Sequence, residues 1–284
     1  MLLNTYFAEG YQILLDERPL RTPSTQILTI PHHKPHLASA IALEWDLLAS
    51  GYQALKQHHI PLTSLVSRAL DIAEEDKSTG GEPGKIRTAI TETLIRYLDT
   101  DSLLCWAPKP PSDPPEYGTN AEGAEDLHNI QVQIAKEIVA FLTARVWPGV
   151  EIVPALEGNS IMPVSQPETT RDVIQGWVSA LPAFELAGLE KAVLAGKSLL
   201  VAARLLVEWS TELRHLREVK SDRGSRNNGY EKKFGIDEAA RAGSLEVTYQ
   251  TEVWGMVEDT HDVDREDLRR QLGSVILLVS GEDA

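Results

Sequence analysis

The chain has 284 residues, 42% of them hydrophobic, which is enough to bury a substantial core in one or two domains. Its 27 Lys and Arg stand against 42 Asp and Glu, and a net charge of −15 repels phosphate backbones and anionic bilayers, so nucleic acid and membrane insertion are poor partners. A single cysteine, Cys105, closes no disulfide within the chain and points to a reducing or matrix-like compartment.

In chain order, residues 1–10 lack both the Arg-rich, acid-poor pattern of a transit peptide and the apolar centre of a signal peptide, so no targeting segment is expected in this sequence. From Tyr11 to Ile30, short apolar runs alternate with turn chemistry around Asp16, Pro19 and Pro23, predicting a small antiparallel β unit. After Pro35 the apolar positions Leu37, Ala40, Ile41, Trp45 and Leu48 take helical spacing, and the helix should end near Gly51. A second helix is expected after Pro61, on Leu62, Leu65, Val66, Ala69, Leu70 and Ile72.

The acidic, glycine-rich stretch 74–84 reads as an exposed connection and as the candidate domain boundary. Helices then dominate, with segments expected at 85–98, 127–146, 171–181 and 184–216. Residues 103–106 and 150–156 are candidate strands that could rejoin the first domain. Polar stretches 108–123 and 221–233 read as mobile loops. The most apolar stretch, 186–209, is interrupted by Glu190, Lys191, Lys197, Arg204 and Glu208, which does not read as a bilayer span. The fold class is therefore α+β: a small β-containing N-terminal domain, 1–80, followed by a larger, mainly helical domain, 81–284.

Three patterns invite chemistry. The run from Gly80 to Lys85 superficially resembles a phosphate-binding loop, but no glycine precedes Gly84 at the required offset and Ile86 replaces the Ser/Thr, so a connecting loop is expected. His32, His33 and His36, with His58 and His59 further on, could suggest imidazole ligands; without acids or sulfurs nearby in sequence they read as surface histidines at a strand-to-helix junction. Glu258, Asp259, His261, Asp262 and Asp264 place carboxylates around a histidine, and a metal-assisted hydrolase using Asp259, His261 and Asp262 is the alternative from the enzyme class. The competing expectation is that Asp262 or Asp264 caps a helix over 265–277 while His261 closes the helix before it.

That preceding helix is expected at about 237–258. Leu245, Tyr249, Val253 and Val257 form its core-facing row, and Glu246, Gln250, Trp254 and Glu258 recur every four residues on the adjacent strip. Buried, Trp254 would be simple packing; part-exposed among carboxylates, it fits an interface anchor with a polar rim.

Six stretches in order along nearly the whole chain carry a family resemblance: LDERPLRTP at 15–23, ALEWD at 42–46, IPLT at 60–63, YLDTD at 97–101, GKSLL at 196–200 and WGMVEDTHD at 254–262. Together they resemble the mitochondrial assembly factor family that chaperones the α subunit of the F(1) ATPase. The resemblance implies a β-containing N-terminal domain, a helical C-terminal domain, a mitochondrial matrix location and binding of the unassembled α subunit until the β subunit replaces it. It implies no catalysis, no cofactor and no small-molecule substrate; a permanent subunit of a matrix complex is the other alternative. An important C-terminal acidic region of the family carries over to Glu246, Glu252 and Glu258, and the expected partner-binding set is Glu246, Gln250, Glu252, Trp254, Glu258, Asp259, His261 and Asp262.

Overall fold

The structure is a computed structural model that describes residues 2–7, 10–80, 82–109, 126–156, 162–217, 233–255 and 260–282, with side chains for all of these except 2–7, 253 and 254. Strands β1 (Leu2–Phe7) and β2 (Gly10–Leu15) form an antiparallel hairpin in which Leu2 faces Leu15 and Phe7 faces Gly10. The short strands β3 (Arg18–Pro19) and β4 (Thr29–Ile30) both pair with β2, completing a four-stranded sheet. β1 adds a strand beyond the expected β unit. Gly10 makes the β2–β4 approach possible: a Cβ there would lie 2.3 Å from the Ile30 carbonyl oxygen.

One face of the sheet buries Ile13, Leu20, Leu28 and Ile30. Helix α1 (Pro35–Asp46) lies on the sheet and contributes Leu37, Ala38 and Ile41 to the same core. It ends before Gly51, and a 3-10 turn at Gln53–Leu55 leads to α2 (Pro61–Ser78). Both helices start with proline, whose fixed φ suits the first turn and whose missing N–H costs nothing there. Helix α2 runs through Glu74 and Asp76, so the exposed connection is shorter than the stretch 74–84 expected for it.

Helix α3 (Lys85–Leu98) has the expected bounds, and α4 (Leu127–Arg145) and α5 (Glu168–Ala180) lie within a few residues of theirs. The helix expected at 184–216 is instead three: α6 (Ala183–Gly196), α7 (Leu199–Trp209) and the single turn α8 (Arg214–Arg217). The first break is Lys197, which takes a left-handed conformation at φ 55°. The segment at 237–258 also divides, into α9 (Ile236–Gly243) and α10 (Leu245–Trp254) at Ser244; α11 (His261–Val279) closes the chain. Residues 103–106 and 150–156 form no extended strands: Ser102–Leu104 is a 3-10 turn, and Cys105 meets Leu156 in one isolated parallel bridge.

Helices α6 and α7 are the centre of the helical part. Helix α6 packs against α2, α7 and α11, and every residue of α7 from Leu199 to Val207 except Arg204 is buried. Three of the five polar interruptions are partnered: Arg68 grips the Glu190 carboxylate with bonds of 2.9 and 2.8 Å, and the Arg204 guanidinium lies 3.7 Å from the Phe141 ring centre while pairing with Glu208. Among the described residues, no helix is long and apolar enough to cross a membrane. A continuous set of buried side chains runs from Ile13 in the sheet to Val279 in α11.

The loops expected at 108–123 and 221–233 lie mostly outside the described residues. Gly84 caps α3, and the Ile86 N–H donates to the Glu75 carboxylate at 2.6 Å, placing an acid where a phosphate-binding loop would hold its anion.

Candidate functional site

The C-terminal elements assemble around the Gly196–Lys197 corner. Helix α9 begins with a one-sided cap in which the Gly235 N–H donates to the Glu238 carboxylate at 3.0 Å, and it buries Ala239, Ala240 and Ala242. Its last residue, Gly243, abuts the Gly196 backbone: a Cβ at Gly243 would lie 3.4 Å from the Gly196 carbonyl oxygen. Ser244 then turns the chain, bonding Ala240's carbonyl through both its N–H (3.0 Å) and its hydroxyl (2.7 Å).

Helix α10 rests against α4 and α9. None of its described side chains is buried, and the expected core row is only partly realised because Leu245 and Tyr249 are half-buried. Glu246, Val247 and Glu252 are exposed, and the Gln250 amide donates to Glu246 Oε1 at 3.1 Å, the i,i+4 contact its spacing predicts. Trp254 is the last residue of the helix, with its side chain outside the described set, as are Val257, Glu258 and Asp259 entirely. Burial and the charges of Asp101 and Glu246 raise the Cys105 thiol above its ordinary pKa, which places α10's acidic side near that cysteine.

Helix α11 starts at His261, with Thr260 as its N-cap residue, so His261 opens this helix instead of closing the one before. Asp262 and Asp264 occupy its first turn and make no capping hydrogen bond there; they face the positive end of the helix dipole. Asp262 Oδ1 is buried without a hydrogen-bond partner among the described residues. A groove of about 480 Å³ separates α10 from α11, with Val247, Thr248 and Thr251 on one wall and His261, Asp264 and Leu268 on the other. The structure therefore brings His261 and α10 to one groove, with Glu246 and Glu252 exposed on the same helix. Among the described residues, no cluster of three His, Cys, Asp or Glu has metal-binding geometry, at the C-terminal histidine or at the expected histidine pairs. His33 instead sits 3.9 Å from Glu212, and His58 and His59 lie side by side.

Four of the six stretches that carry the resemblance form structural clamps. Glu44 accepts from the N–H groups of Leu62 (2.8 Å) and Thr63 (3.0 Å) and from the Thr63 hydroxyl (2.7 Å), while the Trp45 indole donates to that hydroxyl at 2.8 Å. Asp101, fully buried, accepts from the N–H of Leu103 at 3.0 Å and of Leu200 at 3.1 Å, joining the 97–101 stretch to the start of α7. Periodicity has no signal for the pairings of Glu44 with Leu62, 18 residues apart, or of Asp101 with Leu200, 99 residues apart.

A larger cleft, of about 960 Å³, lies between α2, α6, α11 and the connection from α1 to α2. Its Arg21, Arg68, Lys191 and Arg270 come from four separate segments and formed no pattern in the sequence.

A family model described as "ATP12 chaperone protein" matches residues 3–143. The chain is similar to the protein named "Protein atp12, mitochondrial" of Schizosaccharomyces pombe, with 31% identity over 276 residues, 94% of this chain and 76% of that protein. It is 30% identical over 268 residues to "Protein ATP12, mitochondrial" of Saccharomyces cerevisiae, covering 91% of this chain and 75% of that one. Its fold matches the crystal structure of Atp12 from Paracoccus denitrificans with a TM-score of 0.63 at 21% identity, over 98% of this chain and 94% of that one.

Proposed function

We propose, on the premise that this chain belongs to the ATP12 chaperone protein family, that it holds the unassembled α subunit of the F(1) ATP synthase in the mitochondrial matrix until the β subunit takes its place. The family is one of chaperones and the chain is not an enzyme; the client and the surface that meets it are the proposal. Two relatives carry mitochondrial names, which supports the location.

The observation that carries the reading is helix α10, which buries none of its described side chains and presents Glu246, Val247 and Glu252 outward. Subunits of a ring expose apolar surface before assembly, and such surface aggregates when uncovered. A cover for it must form quickly and later yield. Charge complementarity serves that need, because it accelerates encounter more than it deepens affinity. Glu246 and Glu252 would meet basic groups of the client, Val247 and Trp254 would supply apolar contact, and Gln250, Glu258, Asp259, His261 and Asp262 would complete the surface.

The test is co-expression with isolated α and β subunits. This chain should keep α soluble, not β, and added β should displace it. Reversing Glu246 and Glu252 to Lys should cut the rate of α capture and flatten its salt dependence; unchanged capture with unchanged salt dependence would remove α10 from the interface.

A further inference from the structure

The larger cleft differs in charge from the chain around it. In a protein of net charge −15, it gathers Arg21, Arg68, Lys191, Arg270 and His58 against Asp71, Glu190 and Asp267. All three acids are engaged from within: Glu190 by Arg68 at 2.8 Å, Asp267 by Arg270 at 2.6 Å, and Asp71 by the Ser24 hydroxyl at 2.7 Å. Lys191 feels the Asp267 carboxylate but forms no ion pair among the described residues, and the Arg21 guanidinium donates to the Thr25 carbonyl at 2.8 Å. Burial lowers the Lys191 ammonium's pKa, so this cation is partly stripped of water and gains more from an incoming anion than an exposed lysine would.

The rim is apolar. Leu55 is 79% exposed and Leu194 46% exposed, and both line the cleft. The segment leading to it also exposes Leu43, Leu47 and Tyr52. A bond of 2.9 Å from Arg270 to the His58 carbonyl ties that segment to α11 across the opening. At physiological ionic strength, charges more than about 8 Å away are screened, so a ligand entering the cleft meets its own cations and not the charge of the whole chain.

We propose that this cleft docks an acidic, leucine-bearing segment of a partner polypeptide, with aliphatic side chains against Leu55 and Leu194 and carboxylates at Lys191 and Arg21. No α10 residue lines this cleft, although Asp267 and Gln271 of α11 line both it and the groove beside α10, and the cleft calls for a partner segment of opposite charge to the one α10 would meet. It rests on the chaperone reading only in taking the partner to be a protein.

The test uses the full chain and two fluorescein-labelled peptides of about three helical turns, one of leucine and glutamate and one with lysine in place of glutamate, followed by fluorescence anisotropy. The acidic peptide should bind and the basic one should not. Lys191→Glu, Arg21→Glu and Leu55→Asp should each weaken binding about tenfold or more, while Glu92→Gln, on the exposed face of α3, leaves it unchanged. Arg21 and Leu55 are exposed, so their variants should fold, which thermal melting would verify. Equal binding of both peptides, or acidic binding indifferent to Arg21→Glu and Leu55→Asp, overturns the proposal. Self-association in sedimentation that vanishes with the same substitutions overturns it as well, by giving the cleft to a second copy. No α subunit is present, so failure here leaves the client reading standing, and failure of client capture leaves this result standing.

Discussion

The carboxylate of Glu44, near the end of α1, takes three hydrogen bonds from the first turn of α2, two of them from Thr63 alone, at 3.0 Å from its N–H and 2.7 Å from its hydroxyl. The N-cap residue of α2 is Ile60, whose apolar side chain offers no acceptor for the orphan N–H groups of the first turn. Glu44 supplies that cap from 18 residues away and fixes the angle between α1 and α2.

Glu44→Ala should therefore cost about 2–3 kcal/mol in urea unfolding, since it leaves two N–H groups and a hydroxyl without their charged acceptor. Glu44→Gln should cost less, as one carbonyl oxygen remains. A loss under roughly 0.5 kcal/mol for the alanine variant would mean that water replaces the carboxylate freely.

Asp101 is fully buried, and desolvation pushes its pKa up to about 6 although Ser198 and the N–H groups of Leu103, Leu199 and Leu200 favour the charged form. The folded protein thus holds this proton where the unfolded chain, with a pKa near 3.9, releases it. The group's contribution to stability is full below about pH 4 and falls as pH rises toward about 6, by roughly 3 kcal/mol. Asp101→Asn should remove this slope, so the stability difference between wild type and variant should narrow from pH 4 to 7. A difference constant with pH would show that Asp101 is ionised in the folded protein throughout.

The extent to which the sequence was readable follows from where each signal resides. Pro35 and Pro61 mark helix starts by their own covalent geometry, and the row Ile90, Leu94, Leu98 marks α3 by period alone. The break at Lys197 has one local mark, Ser198, whose hydroxyl caps α7 by accepting from the Val201 N–H at 3.0 Å, but the left-handed lysine itself is held by tertiary contacts: the Ser102 N–H donates to its carbonyl at 3.1 Å and the Ser102 hydroxyl to that of Gly196 at 3.2 Å. The Glu246 to Gln250 contact was legible because helical spacing makes neighbours of residues four apart. The basic cleft was not, because Arg21, Arg68, Lys191 and Arg270 are brought together only by the packing of α2, α6 and α11.

Arg87 ties three helices together. From α3 it meets the Asp76 carboxylate of α2 at 2.5 Å and donates to the carbonyls of Ser179 and Leu181, at 2.9 and 2.6 Å, where α5 ends. A lysine's three N–H donors radiate from one nitrogen and cannot span these separated acceptors, so Arg87→Lys should cost about 2–4 kcal/mol. The Arg87 hydrogen bonds hold the Asp76 carboxyl below its ordinary pKa, so this pair's contribution is full above about pH 4 and is lost as pH falls below that. Wild type should accordingly lose its advantage over Arg87→Lys in acid, and an unchanged advantage at pH 3 would assign the effect to packing alone.

Gly188 sits in the middle of α6, facing α11, where glycine costs roughly 1 kcal/mol against alanine by propensity. An added Cβ would lie 3.0 Å from Val279 Cγ1 and 3.3 Å from Val275 Cγ1. Both neighbours are buried valines whose branched side chains have little rotameric freedom in a helix, so they yield only if α11 shifts by a few tenths of an ångström. For Gly188→Ala the propensity gain and the crowding are of similar size, and stability should stay within about 1 kcal/mol of wild type. Gly188→Leu adds three more carbons to the same contact and should cost more than about 2 kcal/mol. Because α11 also carries one wall of the groove beside α10, the leucine variant should weaken α capture along with stability. If instead it melts like wild type, α11 is free to move away from α6, and the groove has a mobile wall.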